Sequence, residues 1–203
     1  RAQTGSVFRH RIKDTFDLVI LSHVMEHLVD VDEAMRALTG MAGERGMIYI
    51  EVPDAARYAE YYFVPFYFFD TEHINHFDEV SLINLGLSHG LRMLHLGRSH
   101  IHISETTKYP VIHIAYRHSE VATDWKKCSR NRILSYIHHS EQENSLKRVI
   151  DKLWKENKKI LIWGAGNFTM RLLDNSSLAQ CDIIGFVDKD PKKQGGKILD
   201  IPI

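Results

Sequence analysis

The chain has little cysteine, no excess of either charge and no long apolar run, and each shortage removes a class of function. Its two cysteines, Cys128 and Cys181, lie 53 positions apart in 203 residues. They make neither a disulfide framework nor a CxxC metal knuckle, so a reducing cytoplasm is the expected setting. Lys+Arg and Asp+Glu are 26 each, giving zero net charge with neutral histidine. No global field therefore draws the protein to nucleic acid or to an anionic membrane. No window approaches about 18 uninterrupted apolar residues, so a transmembrane helix is not expected. The start, Arg1-Ala2-Gln3, shows no initiator Met and no signal-peptide n-region or h-region, and Asp200-Ile201-Pro202-Ile203 shows no sign of closure. The expectation is a fragment cut at both ends. What is present is ordinary globular composition, 44% apolar and 26% charged, in a length between one average domain and two. Histidine is the exception: there are 13, and 11 of them lie in the first 118 residues. Histidine titrates near neutrality and ligates metals, so the excess raises both a metal and an acid–base reading.

Asp17-Leu18-Val19-Ile20-Leu21 is a short apolar, β-branched run of the kind that forms a buried parallel strand. From Val31, Ala34, Met35, Leu38 and Met41 recur at helical spacing, with Asp30 or Asp32 as cap and Gly43 and Gly46 as the stop. Met47–Val52 reads as the next strand, ended by Pro53-Asp54. Strand, helix, strand is a crossover unit of an α/β sheet. Residues 58–77 hold nine of the chain's twenty aromatics, too many for a solvated connection. They either pack over the sheet edge or form a substrate lid. Asp78 then caps a helix striped by Val80, Ile83 and Leu87 and closed by Gly90, and 91–97 and 110–117 read as two further strands. Residues 126–159, with ten Lys/Arg against four Asp/Glu, read as two solvated amphipathic helices hinged near His139-Ser140 rather than a nucleic-acid arm. A strand at 159–163, the turn Gly164-Ala165-Gly166, a helix at 167–175 and a strand at 183–188 form a second α/β unit.

His23-Val24-Met25-Glu26-His27 matches HxxEH, the inverted zincin pattern, and Glu105 lies at a plausible distance for a third ligand. That chemistry needs the motif inside a long helix, whereas here a strand ends just before Ser22. The other use of the same residues is a ligand site at the carboxyl end of a strand. Ser22 and His23 would face a cofactor there, with His27 one turn further on.

Phe16-Asp17 through His27-Leu28, followed by Gly46-Met47-Ile48-Tyr49-Ile50-Glu51-Val52-Pro53-Asp54, resembles the fourth and fifth strands of class I S-adenosylmethionine-dependent methyltransferases. Asp70-Thr71-Glu72-His73-Ile74-Asn75-His76-Phe77 is similar to the Tyr-x-Glu-His-x-x-x-Phe-Ser segment of sugar C-methyltransferases, with Asp70 in place of the tyrosine. Those proteins also carry a C-terminal Rossmann-like domain resembling the stretch from Ile162 to Gly195. The resemblance implies the C-terminal half of a Rossmann-like methyltransferase sheet over 1–118, a helical connector over 119–158 and part of a second Rossmann-like unit over 159–203. It places the glycine-rich cofactor loop and the ribose-binding acid before Arg1. It implies S-adenosylmethionine as cofactor, held in part by Ser22 and His23, and a sugar or nucleotide-sugar as substrate. His27, Glu72 and His73 would be catalytic: a base near neutral pH removes a proton from the acceptor, and the second imidazole polarises or reprotonates it. Asp54, Tyr58 and His76 would contact substrate, and no metal is called for. In the second unit Gly164 and Gly166 offer a backbone nest for phosphate, and Asp188, 22 residues after Gly166, stands where a ribose-binding acid would. Asn167-Phe168-Thr169 leaves the GxGxxG pattern incomplete. Two other readings remain: a non-catalytic nucleotide or nucleotide-sugar binding module and, behind it, the zinc peptidase.

Overall fold

The computed structural model describes residues 14–103, 105, 107–120 and 124–203. The start of the chain, Arg1-Ala2-Gln3 included, lies outside the described residues. The chain divides into two compact units, 1–138 and 139–203, so residues 119–158, expected as a connector, are shared between them.

In the first unit β1 (Leu18–Ser22) pairs in parallel with β2 (Met47–Pro53). The crossover is α1 (Val31–Ala42), which starts where Asp30 accepts the Glu33 N–H at 2.7 Å, a cap worth about 1 kcal/mol. It ends at Gly43, whose φ of +62° favours glycine. Ala34, Met35 and Leu38 are buried, as the spacing predicts. β4 (Lys108–His118) runs antiparallel to β2, and β3 (Leu91–His102) antiparallel to β4, so the sheet order is β1-β2-β4-β3. The first unit is thus a mixed α/β sheet, one parallel pair and two antiparallel ones. β3 and β4 outrun their expected ranges because they pair with each other along their whole length, a long-range reward that local pattern does not carry.

α2 (Glu79–Ser88) begins in a reciprocal capping box between Asp78 and Ser81. Its buried stripe is Leu82, Ile83 and Gly86 rather than Val80, Ile83 and Leu87. Gly86 sits there because the Tyr116 ring leaves no room for a side chain: a Cβ would lie 2.4 Å from Tyr116 Cε1.

The aromatic segment packs. Tyr58 and Phe68 are buried with Tyr109, Val111 and Tyr136 in a second core, and Tyr61, Tyr62, Tyr67 and Phe69 lie partly buried against it. Tyr58 and Phe68 stack at 4.2 Å between centroids. Of the two sequence alternatives, these rings follow the packed one.

The division between the units falls within α3 (Asn131–Gln142). That helix runs straight through His139-Ser140; the break comes at Glu143-Asn144, where Glu143 Oε1 accepts the Ser145 N–H that opens α4 (Ser145–Lys155). In the second unit β5 (Lys159–Trp163) pairs in parallel with β6 (Asp182–Val187) across α5 (Asn167–Asn175). A short hairpin of β7 (Lys197–Ile198) and β8 (Ile201–Pro202) follows. Ile150, Leu173, Leu178, Ile183 and Phe186 form its core. No helix among the described residues is long and apolar enough to cross a membrane.

Candidate active site

Because β1 and β2 are parallel, their carboxyl ends open at one edge of the sheet, where α/β sheets hold ligands. Ser22, exposed at the end of β1, donates through Oγ to Glu51 Oε1 of β2 at 2.9 Å. The His23 N–H donates to the Glu51 carbonyl at 2.9 Å. His23 then takes φ +51°, a left-handed conformation uncommon for a residue with a side chain. That turn ends the strand and starts a single 3-10 turn, Met25–His27, which buries Met25 and Glu26 and leaves His27 exposed at the rim. The long helix that HxxEH zinc chemistry requires is not formed, so His23 and His27 do not share a helix face.

A second segment closes on this turn. Asp70 Oδ1 accepts the N–H of Glu72 at 2.8 Å and of His73 at 2.9 Å, holding the chain in a tight Asx turn. Asn75 Nδ2 donates to the Leu28 carbonyl at 2.7 Å, and the Asn75 N–H to the Glu26 carbonyl at 3.0 Å. These bonds bring His73 beside His27, ring centroids 4.8 Å apart and 64° between planes.

The surroundings of each group set its chemistry. His23 Nδ1 lies 3.2 Å from Glu26 Oε1. The hydrogen bond to Glu26, together with the charges of Glu26 and Glu51, outweighs partial burial and raises the His23 pKa. His27 Nδ1 lies 2.8 Å from the Glu72 carbonyl oxygen, so a proton on Nδ1 donates there and Nε2 keeps its lone pair. His73 Nδ1 lies 3.3 Å from the hydroxyl of Tyr109, whose pKa burial pushes well up. His76 Nδ1 meets the Tyr58 hydroxyl at 3.1 Å, and burial lowers its pKa.

The sequence-predicted residues therefore part into three groups. Ser22, His23, His27, Glu72 and His73 gather beyond the carboxyl end of β1, linked pairwise through Glu51, Glu26 and the Glu72 carbonyl, at the place where α/β sheets hold ligands in a crevice. Glu72 takes part through its backbone carbonyl, and the His73 ring meets the Tyr109 hydroxyl rather than the Glu72 carboxylate. Asp54 and Tyr58, with 0% and 1% exposure, lie in the interior. The Asp54 carboxylate caps the turn after β2 through the Ala56 N–H at 3.1 Å and takes a bond from Arg98 Nε at 3.0 Å. His76, half-buried, leans on Tyr58 and Phe69. Gly164, Gly166 and Asp188 belong to the second unit. There Gly164 has φ +103°, and Asp188 accepts the N–H of Ala165 at 2.7 Å and of Asp190 at 2.9 Å. Those bonds, with Lys193 at 3.3 Å, hold the Asp188 pKa low.

Sequence reasoning missed Tyr109, Glu51 and Asn75, and it read Glu26 only as part of a zinc motif. Asn75 sits inside the segment singled out. Tyr109 reaches His73 only because β4 lies next to β2, and no spacing connects the two positions. Glu26, His27 and His73 each bring one carboxylate oxygen or ring nitrogen within 4.8 Å of the others, a donor set able to hold a cation.

A family model described as a methyltransferase domain matches residues 4–96, the stretch that contains the whole crevice except Tyr109. Among solved structures, the methyltransferase domain of bacterial-CtHen1-C is similar at 11% identity and a TM-score of 0.36, over 57% of this chain and 59% of that one. The chain thus spans less than two thirds of that domain. A comparison with curated proteins finds no match. On the family match, the region from residue 4 to residue 96, and with it the crevice of His27 and His73, is similar to a methyltransferase domain.

Proposed function

We propose that the crevice carries out methyl transfer from S-adenosylmethionine to a small acceptor, a sugar or nucleotide-sugar. The observation that carries this reading is the approach of His73 to His27, 4.8 Å between rings, at the carboxyl ends of two parallel strands inside the methyltransferase-like stretch. Bound S-adenosylmethionine supplies a methyl group already activated on a sulfonium sulfur. Ser22, with an exposed hydroxyl, and His23 at the end of β1 are the described residues that would hold it. The remaining work is to place the acceptor and take its proton. His73, braced by Tyr109 at 3.3 Å, receives the proton. His27, fixed by the Glu72 carbonyl at 2.8 Å, polarises the acceptor oxygen or returns a proton to it. The same arrangement serves an oxygen, nitrogen or carbon acceptor. Zero net charge favours a small molecule over nucleic acid. The test is transfer of labelled methyl from S-adenosylmethionine to a panel of nucleotide-sugars. Labelled product from at least one is expected, and none from any removes the sugar assignment.

A second reading rests on the other unit. Space is open around Gly164 and Gly166, where an added Cβ would meet nothing within 4 Å, and Asp188 directly follows the neighbouring strand β6. We infer that this turn holds the phosphate and ribose of a nucleotide-sugar without chemistry of its own. Ligand-dependent melting shifts that survive His73→Ala and vanish in Gly164→Val support binding there; shifts that survive Gly164→Val remove it.

A further inference from the structure

We propose that Glu26, His27 and His73 form a binding site for one divalent first-row transition cation, of the Zn2+ or Co2+ type, at the base of the crevice. Three observations carry it. First, one donor atom from each of these residues already lies within 4.8 Å of the other two. Such a cation bonds nitrogen and carboxylate oxygen at about 2.0–2.2 Å, so its ligand atoms stand roughly 3.4 Å apart when tetrahedral. Closing from the observed separation takes side-chain adjustments of an ångström or so, not a rearrangement of the fold. Second, the Glu26 side chain is 1% exposed, and its Oε2 is buried with no hydrogen-bond partner. A carboxylate oxygen taken from water and left unmatched is costly, and a cation beside His27 and His73 matches it. Third, both imidazoles have the outer partners that metal-bound histidines use: His27 Nδ1 on the Glu72 carbonyl at 2.8 Å and His73 Nδ1 on the Tyr109 hydroxyl at 3.3 Å. The Glu72 carbonyl can only accept, so it fixes His27 with the proton on Nδ1 and Nε2 turned to the cation, and the Tyr109 hydroxyl is able to accept from His73 Nδ1 in the tautomer that frees His73 Nε2. Two imidazoles select a transition ion over Mg2+ or Ca2+, which prefer all-oxygen sets.

Three protein ligands leave coordination positions open, as in catalytic rather than structural sites. An acceptor hydroxyl bound there has a lowered pKa and releases its proton to water, and the oxygen left behind is the nucleophile. The cation would then take over the task assigned above to the two imidazoles. In this respect the inference deepens the methyl-transfer reading, and it differs from the HxxEH set: Glu26 ligates, and His73 replaces His23.

The experiment is calorimetric titration of the whole chain with Zn2+, and with Co2+ followed by its visible absorption, in the absence of substrate. One equivalent is expected to bind, with no displacement by equimolar Mg2+. Glu26→Gln and His73→Ala should each weaken binding more than about 100-fold, beyond what losing an outer-shell partner costs. Alanine at His118, at the opposite end of β4 from Tyr109, should leave it unchanged. If Glu26→Gln fails to fold, His27→Ala takes its place. No saturable uptake, or affinity retained in either variant, overturns the site. The two readings fail separately: a bound cation with no methyl transfer removes the enzyme reading alone. Methyl transfer by a metal-free protein, undiminished by chelator, removes the cation alone.

Discussion

His27 Nδ1 stands 2.8 Å from the backbone carbonyl of Glu72, 45 residues away along the chain. A main-chain acceptor fixes one face of the imidazole regardless of the side chain at 72. Glu72→Ala is therefore expected to leave methyl transfer within about threefold of wild type. Removing the ring in His27→Ala should cost on the order of 100-fold in kcat/KM, the scale of a lost proton-transfer group. Steady-state kinetics on the pair decide it.

The Asp70 carboxylate holds the Glu72 and His73 N–H groups at 2.8 and 2.9 Å. Asp70→Ala should lower stability by about 1 kcal/mol and reduce kcat by loosening His73. Asp70→Asn keeps one acceptor oxygen and should recover most of both. Thermal melts and turnover at saturating substrate measure the two effects.

Gly86 faces the Tyr116 ring, whose hydroxyl donates to the Leu82 carbonyl at 2.6 Å. Because Tyr116 is fully buried and bonded, it cannot give way to a Cβ at 2.4 Å. Gly86→Ala should destabilise the first unit by about 1–3 kcal/mol, the cost of overpacking, although alanine is the better helix former. Denaturant unfolding gives the number.

Two histidines should titrate on opposite sides of the ordinary value of 6.5: His23 above it, through its bond to Glu26, and His76 below it, through burial. A pKa raised in the fold stabilises below the unfolded value and loses that contribution as pH rises through the folded one. The stability difference between wild type and His23→Gln should therefore be largest in acid and fade in base. Ring-proton NMR gives the titrations, and melts across pH give the linkage.

Asp54 is buried, and desolvation raises its pKa against the opposing pull of Arg98. Arg98→Met removes that pull and should cost about 2–3 kcal/mol, the penalty of a buried charge left with fewer partners. The sign follows from the raised pKa: the protonated carboxyl tolerates burial, so the loss should be smaller at low pH and grow as pH rises. Unfolding free energies of both proteins across the acid range check it.

The parallel pair β1 and β2 with α1 between them was legible because each step is local: an apolar run, an Asp30 cap, a Gly43 stop. The convergence of Ser22, His23 and His27 followed from their place after a strand. What the sequence could not carry was sheet order. β4 lies between β2 and β3, which brings Tyr109 to His73. It also stacks His113 between Tyr49 at 5.8 Å and His95 at 5.7 Å across the sheet. Part of the histidine excess is thus a ladder of rings, with Gly97 left bare because His113 fills the space over it. The interior places of Asp54 and Tyr58 were equally hidden, since a polar residue just past a strand end reads alike whether it meets a ligand or an Arg98.

The most direct test of the methyl-transfer account is single-turnover transfer of labelled methyl to an accepted nucleotide-sugar by wild type and His73→Gln, with S-adenosylmethionine affinity measured in parallel. The account predicts unchanged affinity and transfer slowed by about 100-fold or more. Equal rates in the two proteins would contradict it.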